Sequence, residues 1–195
     1  ELRAVMTGMY LYAKGGRIGV CATDAHRLFT DSIVSDSEDF GVVIPSSGFK
    51  PLLNIIANVQ DVNVVISSKN ITFTTSNAVL DCRLVEGNYP NFNAVIQQNN
   101  GILVKVSKSE LLDSVNRASI MANKSTSLLK LSFTDTTMSI VGSDNDFSTK
   151  ACENISVEKS GADVAIGVKS EFFATCLSIV SAEEVILKLG DSNRA

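Results

Sequence analysis

Apolar residues recur along this chain with two different periods. Three stretches carry them at helical offsets: Leu52, Leu53, Ile56 and Val59; Leu111, Leu112, Val115 and Ala118; and Phe172, Phe173, Cys176 and Ile179. Offsets of 0, 1, 4 and 7 place each set on one face of a helix. The pattern predicts three amphipathic helices, each with one buried stripe. Their starts are alike. Lys108-Ser109-Glu110-Leu111-Leu112 returns 61 residues later as Lys169-Ser170-Glu171-Phe172-Phe173, and a weaker copy stands at Phe49-Lys50-Pro51-Leu52-Leu53. Ser107 to Glu110 reads as a capping box, in which the two side chains satisfy free amides at the helix start. Val168 stands where Ser107 would, so the third helix needs a different cap. Pro51 falls in a first turn, where its missing amide hydrogen costs little.

Strand-like runs flank each helix. Val42-Val43-Ile44, Ile102-Leu103-Val104 and Val164-Ala165-Ile166 precede the helices; 62–66, 129–133 and 185–189 follow them. Further strands are expected at 71–75 and 138–141. Residues 6–12 and 18–22 around Lys14-Gly15-Gly16-Arg17 read as a hairpin, and 28–34 as another strand. The chain is thus a repeated strand–helix–hairpin unit. It is expected to begin in the tail of one unit, whose helix would precede Glu1, and to end inside another before its last strand. Helices on one face of antiparallel sheets make an α+β fold. Gln97-Gln98-Asn99-Asn100-Gly101 is polar and marks a boundary. The expected division is a first domain at 1–97 lacking its N-terminal part, a linker at 98–101, and a second domain at 102–195 lacking its last strands.

Apolar residues make up 45% of the chain and charged ones 19%, a globular composition. The net charge of −4 excludes a generally basic surface, although not a local basic face. No apolar run reaches the roughly 20 residues of a membrane span. The first residues do not read as a signal peptide, and without a starting methionine Glu1 is not expected to be the natural N-terminus. Cys21, Cys82, Cys152 and Cys176 are far apart, without a Cys-x-x-Cys pair. They are expected to be buried, reduced thiols, which fits a cytoplasmic protein. Asn70-Ile71-Thr72, Asn123-Lys124-Ser125 and Asn154-Ile155-Ser156 match the glycosylation pattern and are discounted without a secretory signal.

Catalytic signatures are missing. The carboxylates are scattered rather than clustered for metal ions, and no phosphate-binding loop or nucleophile turn occurs. No metal and no cofactor are expected. The single histidine, His26, lies in Thr23-Asp24-Ala25-His26-Arg27-Leu28. A structural role in a turn fits best; a binding role and an Asp24–His26 catalytic pairing stay open. Lys50, Lys108, Arg117, Lys124 and Lys169 could meet phosphates. They share their helix faces with Asp113, Asn54, Asn58 and Asn116, and from charge alone solvated faces explain them.

Three segments carry a family resemblance. Ala22-Thr23-Asp24-Ala25-His26-Arg27-Leu28 closely resembles the Ala-Thr-Asp-Gly-His-Arg-Leu signature of the bacterial sliding clamp, the DNA polymerase III beta subunit. Leu84-Val85-Glu86-Gly87-Asn88-Tyr89-Pro90-Asn91-Phe92 is similar to that family's Leu-Ile-Glu-Gly-x-Phe-Pro-Asp-Tyr, and Arg117-Ala118-Ser119-Ile120-Met121-Ala122-Asn123 to its Arg-x-Ser-Ile-Leu-Ser-Asn. The resemblance implies most of the second and third domains of a clamp subunit. Such subunits pair into a homodimer ring with helices lining the hole. It implies a non-catalytic subunit of a DNA-directed DNA polymerase holoenzyme, a nucleotidyltransferase. The ring would encircle double-stranded DNA without reading sequence, through weak phosphate attraction. Lys50, Lys108, Arg117, Lys124 and Lys169 would face DNA.

The resemblance also implies a hydrophobic pocket for short linear motifs of the polymerase catalytic subunit, the clamp loader and repair polymerases. Its wall would comprise Met6, Thr23, Ala25, His26, Arg27, Leu28, Pro90, Val95 and Phe172, part of it normally coming from the final strands. No membrane partner is implied. The chain departs from the family at Ala25, for glycine; at Ala94, for a common arginine; at Phe172, for a frequent tyrosine; and at Ser46-Ser47-Gly48, where a basic residue often precedes the glycine. The alternatives are a non-clamp interaction module of similar repeated architecture and a hydrolase using Asp24 and His26.

Overall fold

The computed structural model describes residues 4–97 and 100–190. Residues 98 and 99 of the expected linker and 191–195 of the expected second domain lie outside the described residues. The chain divides into two compact units, Glu1–Val95 and Ile96–Ala195.

In the first unit, β1 (Gly8–Lys14), β2 (Arg17–Thr23), β3 (Leu28–Val34) and β4 (Phe40–Pro45) form an antiparallel sheet in the order β3-β2-β1-β4. The β1–β2 turn uses Gly15 and Gly16 at φ +58° and +75°. Two successive left-handed residues match the right-handed twist of the strands, and glycine meets that need at least steric cost. Helix α1 (Phe49–Ile56) follows β4, and β5 (Asn63–Ile66), β6 (Asn70–Thr74) and β7 (Val79–Arg83) make a second antiparallel sheet. Ile44 of β4 and Ile71, Phe73 and Cys82 of the second sheet form one buried cluster, with Phe49, Leu52 and Ile55 of α1 packed against it. Here the expected stripe is corrected. Leu53 is 63% exposed. Phe49 anchors the helix start, so the i, i+3, i+6 series through Ile55 faces inward instead.

The second unit repeats the plan. β8 (Ile102–Ser107) enters α2 (Lys108–Ser119), followed by β9 (Leu128–Phe133), β10 (Thr137–Asp144), β11 (Thr149–Ser156) and β12 (Glu158–Ser160). β13 (Val164–Lys169) then enters α3 (Ser170–Ser178), which β14 (Glu184–Leu189) follows. The sheets are β11-β10-β9-β13 and β12-β8-β14, all antiparallel. Leu111, Val115 and Ala118 of α2 meet Leu129, Leu131 and Phe133 of β9, with Val104 of β8, in one core. The fold is the expected α+β arrangement of antiparallel sheets with helices packed on them.

Local devices explain the helix starts. Ser107 Oγ accepts a long bond of 3.5 Å from the Glu110 amide. α3 has no side-chain cap. Its Ser170 amide instead donates to the carbonyl of Ser127, at 2.8 Å. The α3 stripe also differs from expectation: Phe173, Ala174 and Leu177 face the core, Cys176 is exposed, and Ile179 is 58% exposed. Phe173 and Leu177, an i, i+4 pair, remove more apolar area from water than Cys176 can. The cysteine expectation is corrected with it. Cys21 and Cys82 are buried, whereas Cys152, on the edge strand β11, and Cys176 are exposed; all four are free thiols.

Candidate functional site

The turn between β2 and β3 is tightly bonded. Asp24 Oδ1 accepts the amides of His26 and Arg27 at 3.0 and 2.8 Å, and Oδ2 accepts Nε and Nη2 of Arg27 at 3.0 and 2.7 Å. Thr23 Oγ1 accepts the Ala25 amide at 3.1 Å and donates to the Arg27 carbonyl at 2.6 Å. The Arg27 guanidinium, ahead of the turn amides, holds the Asp24 carboxyl down at about 2. These bonds fill the acceptor positions of Asp24, which leaves the Asp24–His26 catalytic pairing without support. Ala25 stands at φ +73°, a left-handed conformation that glycine adopts more easily.

Other parts of the first unit converge on the same sheet. A 3-10 turn at Ala4–Thr7 packs against β1 and β2, with Val5 buried and Met6 half-buried. Beyond β7 the chain returns over the sheet. The Val85 amide donates to the Val43 carbonyl at 2.9 Å, and Tyr89 stacks on Tyr10 with ring centroids 4.8 Å apart. The Tyr89 hydroxyl is buried without a hydrogen-bonding partner of normal geometry. The Cys21 thiol stands beside it, and burial first, then Cys21, pushes the phenol up to about 12. Burial likewise pushes the Cys21 thiol up.

Thr23, Arg27, Leu28 and Pro90 are half-buried, Ala25 and His26 are exposed, and Val95 is 68% exposed. Phe172 belongs to the second unit, where it is half-buried on α3 with Lys169 Nζ 5.0 Å from its ring centre.

The cations expected to face DNA are mostly engaged locally. Arg117 donates to Glu153 Oε2 through Nε at 3.1 Å and Nη2 at 2.7 Å, and to Ser114 Oγ at 2.9 Å. Lys108 Nζ donates to the Val180 carbonyl at 3.0 Å, and Lys124 Nζ to that of Ile120 at 3.5 Å. Lys169 lies 3.9 Å from Glu171, and Lys50 is exposed. Asn123, which closes the third sequence motif, serves the fold, because its side-chain amide donates to the buried Asp144 at 3.1 Å. Glu153 was invisible to sequence reasoning, because nothing local links it to Arg117 on another element. The clustering of Tyr10, Tyr12, Tyr89 and Phe92 was equally hidden; tyrosines two apart in a strand were its one signal.

Among the described residues, no group of histidine, cysteine or carboxylate side chains could hold a metal ion, and no helix is long and apolar enough to cross a membrane.

Comparison with known proteins gives a consistent result. The model of the DNA polymerase III beta subunit central domain matches residues 1–91, and that of its C-terminal domain matches residues 93–195. The beta sliding clamp of Pseudomonas aeruginosa is 25% identical over 197 aligned positions, covering 99% of this chain and 53% of the relative. That of Staphylococcus aureus is 25% identical, covering 95% and 50%. A crystal structure of the P. aeruginosa sliding clamp bound to griselimycin is 26% identical with a TM-score of 0.93, covering 100% of this chain and 53% of that one. The Thermotoga maritima beta subunit shares the fold at a TM-score of 0.91 with 21% identity. The chain spans about half the length of the curated relatives it matches.

Proposed function

The chain belongs to the DNA polymerase III beta-subunit family, and we propose that it is the central and C-terminal part of a processivity clamp. In this reading the first unit is the second clamp domain and the second unit the third. The ring encircles duplex DNA and tethers the replicative polymerase. The observation that carries the reading is the match of both domain models, in order, along one chain of repeated architecture. A non-clamp interaction module is not favoured, because it would not account for that order.

The proposed role is positional, not catalytic: the clamp forms no bond, while its holoenzyme transfers nucleotides. It acts in the cytoplasm. Sliding needs attraction to phosphate without a fixed register. Lys108 and Lys124, tied to helix-end carbonyls, suit that need, since each keeps its charge without a rigid, bidentate phosphate grip, whereas Glu153 offsets the charge of Arg117. Lys50, Lys108, Arg117, Lys124 and Lys169 are the proposed DNA-facing set.

The proposed peptide pocket is built on the first unit, from Met6, Thr23, Ala25, His26, Arg27, Leu28, Pro90 and Val95. Motifs of the polymerase, the clamp loader and repair polymerases are its ligands. The Asp24–Arg27 lock supports this reading: a turn held by side-chain bonds is preorganised, which lowers the ordering cost of binding. Ring closure as a homodimer is supported by exposed Ile120, Met121 and Phe147 at 63, 40 and 78%. The segment bearing the first two lies along the β10–β11 turn that bears the third, where Thr149 Oγ1 bonds to the Met121 carbonyl.

Native mass spectrometry of the protein at its full natural length is expected to show a dimer, and a strict monomer contradicts the ring. Peptide titration tests the pocket. Leu28→Ala is expected to weaken a clamp-binding peptide about tenfold, the equivalent of one lost apolar contact of roughly 1.4 kcal/mol. Unchanged affinity contradicts the assignment.

A further inference from the structure

Within the first unit, β1, β4 and the returning loop enclose a cleft of about 510 Å³, inside the roughly 300–1,000 Å³ range of ligand sites. Its floor is aromatic. Tyr10 stacks on both Tyr89 and Tyr12, at 4.8 and 5.4 Å, and Phe92 closes on Tyr12 at 5.6 Å. Gly41 of β4 leaves room for the Tyr10 hydroxyl, which lies where a β-carbon would be. Lys14, Asn91 and Asn93 line the cleft and are exposed. Among the described residues, their side chains and the Tyr10 hydroxyl make no hydrogen bond. Asp39 contributes the one carboxylate, whose Oδ1 accepts the Gly15 amide at 3.2 Å.

We propose that this cleft is a second docking site, for a proline-rich segment of a partner protein bearing a basic residue. The reasoning is complementarity. A polyproline helix exposes carbonyl acceptors and almost no N–H donors, and its flat rings pack well on aromatic faces. The cleft offers the converse: donors from Tyr10, Asn91, Asn93 and Lys14 above a ring floor. Asp39 selects a basic side chain and so sets the orientation of the segment. A phosphate polymer fits less well, because it would bring its charge against Asp39 with Lys14 as the one facing cation.

The chain has 3 tyrosines and no tryptophan, and all 3 line this cleft, so intrinsic tyrosine emission reports the site alone. The probe is a capped proline-rich peptide carrying one arginine, titrated into the intact chain and followed by emission and calorimetry. A saturable emission change is expected. Asn93→Ala should weaken binding several-fold, and Asp39→Lys about tenfold for the arginine peptide with little effect on an alanine version. Both positions are exposed, and unchanged circular dichroism confirms that the variants are folded. The proposal is overturned by no emission change at millimolar peptide, by equal binding of a glycine–serine peptide, or by oligothymidylate saturating the signal in place of the peptide.

Discussion

Replacing Ala25 with glycine should stabilise the first unit. Ala25 sits at φ +73° between Asp24 and His26, in a turn where the Ala25 amide donates to Thr23 and the His26 and Arg27 amides donate to Asp24. An L residue in that region costs about 1–2 kcal/mol from the clash of its β-carbon with the backbone. Glycine removes the clash and enlarges the unfolded ensemble, returning about 0.4–1 kcal/mol. The net gain is about 0.5–1 kcal/mol. For a unit of this size such a gain raises Tm by roughly 2–8 °C. Scanning calorimetry of parent and variant, with the two units' transitions resolved, measures it. A lower Tm for the first unit in Ala25→Gly would refute the reasoning, since it would mean that the methyl makes a contact worth more than the strain.

Three further outcomes follow from the same geometry. Asp24 titrates at about 2 against an ordinary 3.8, so its contribution is full above pH 4 and fades as pH falls towards 2; its side chain is 40% exposed, so screening keeps the effect below about 1 kcal/mol, and urea midpoints of parent and Asp24→Asn should converge at low pH. Tyr89→Phe removes a buried hydroxyl that lacks a partner and should leave stability equal or up to about 1 kcal/mol higher; the parent alone should lose stability as pH rises from 10 towards 12, because its neutral phenol is favoured by folding. Gly142→Ala should cost about 1–3 kcal/mol of the second unit's stability in denaturant unfolding, because a β-carbon there meets the Ala118 carbonyl at the end of α2.

The repeat was legible because helical and strand periods are read residue by residue: all three helices and their flanking strands lie where the apolar pattern puts them. Which apolar residue of a pair turns inward was not legible. Leu53 and Cys176 sit beside Leu52 and Leu177 in sequences that satisfy two neighbouring stripes equally, and packing against a distant sheet makes the choice. The left-handed demand at position 25 was readable from the glycine that the resembling signature places there. The bonding of Asp24 to Arg27 needed coordinates to separate it from an Asp–His pair. The tyrosine cleft and the Arg117–Glu153 pair were illegible because they join residues distant in sequence: strand pairing and loop return assemble the first, and packing of α2 on β11 assembles the second.

The most direct measurement of the central claim is retention on DNA of the protein at its full natural length, loaded onto closed circular duplex and then challenged by a cut. Stable retention on the circle and rapid loss from the linear product are expected, since a ring held by topology leaves at an end. Equal retention on both forms, or failure to remain on the circle after loading, would contradict it.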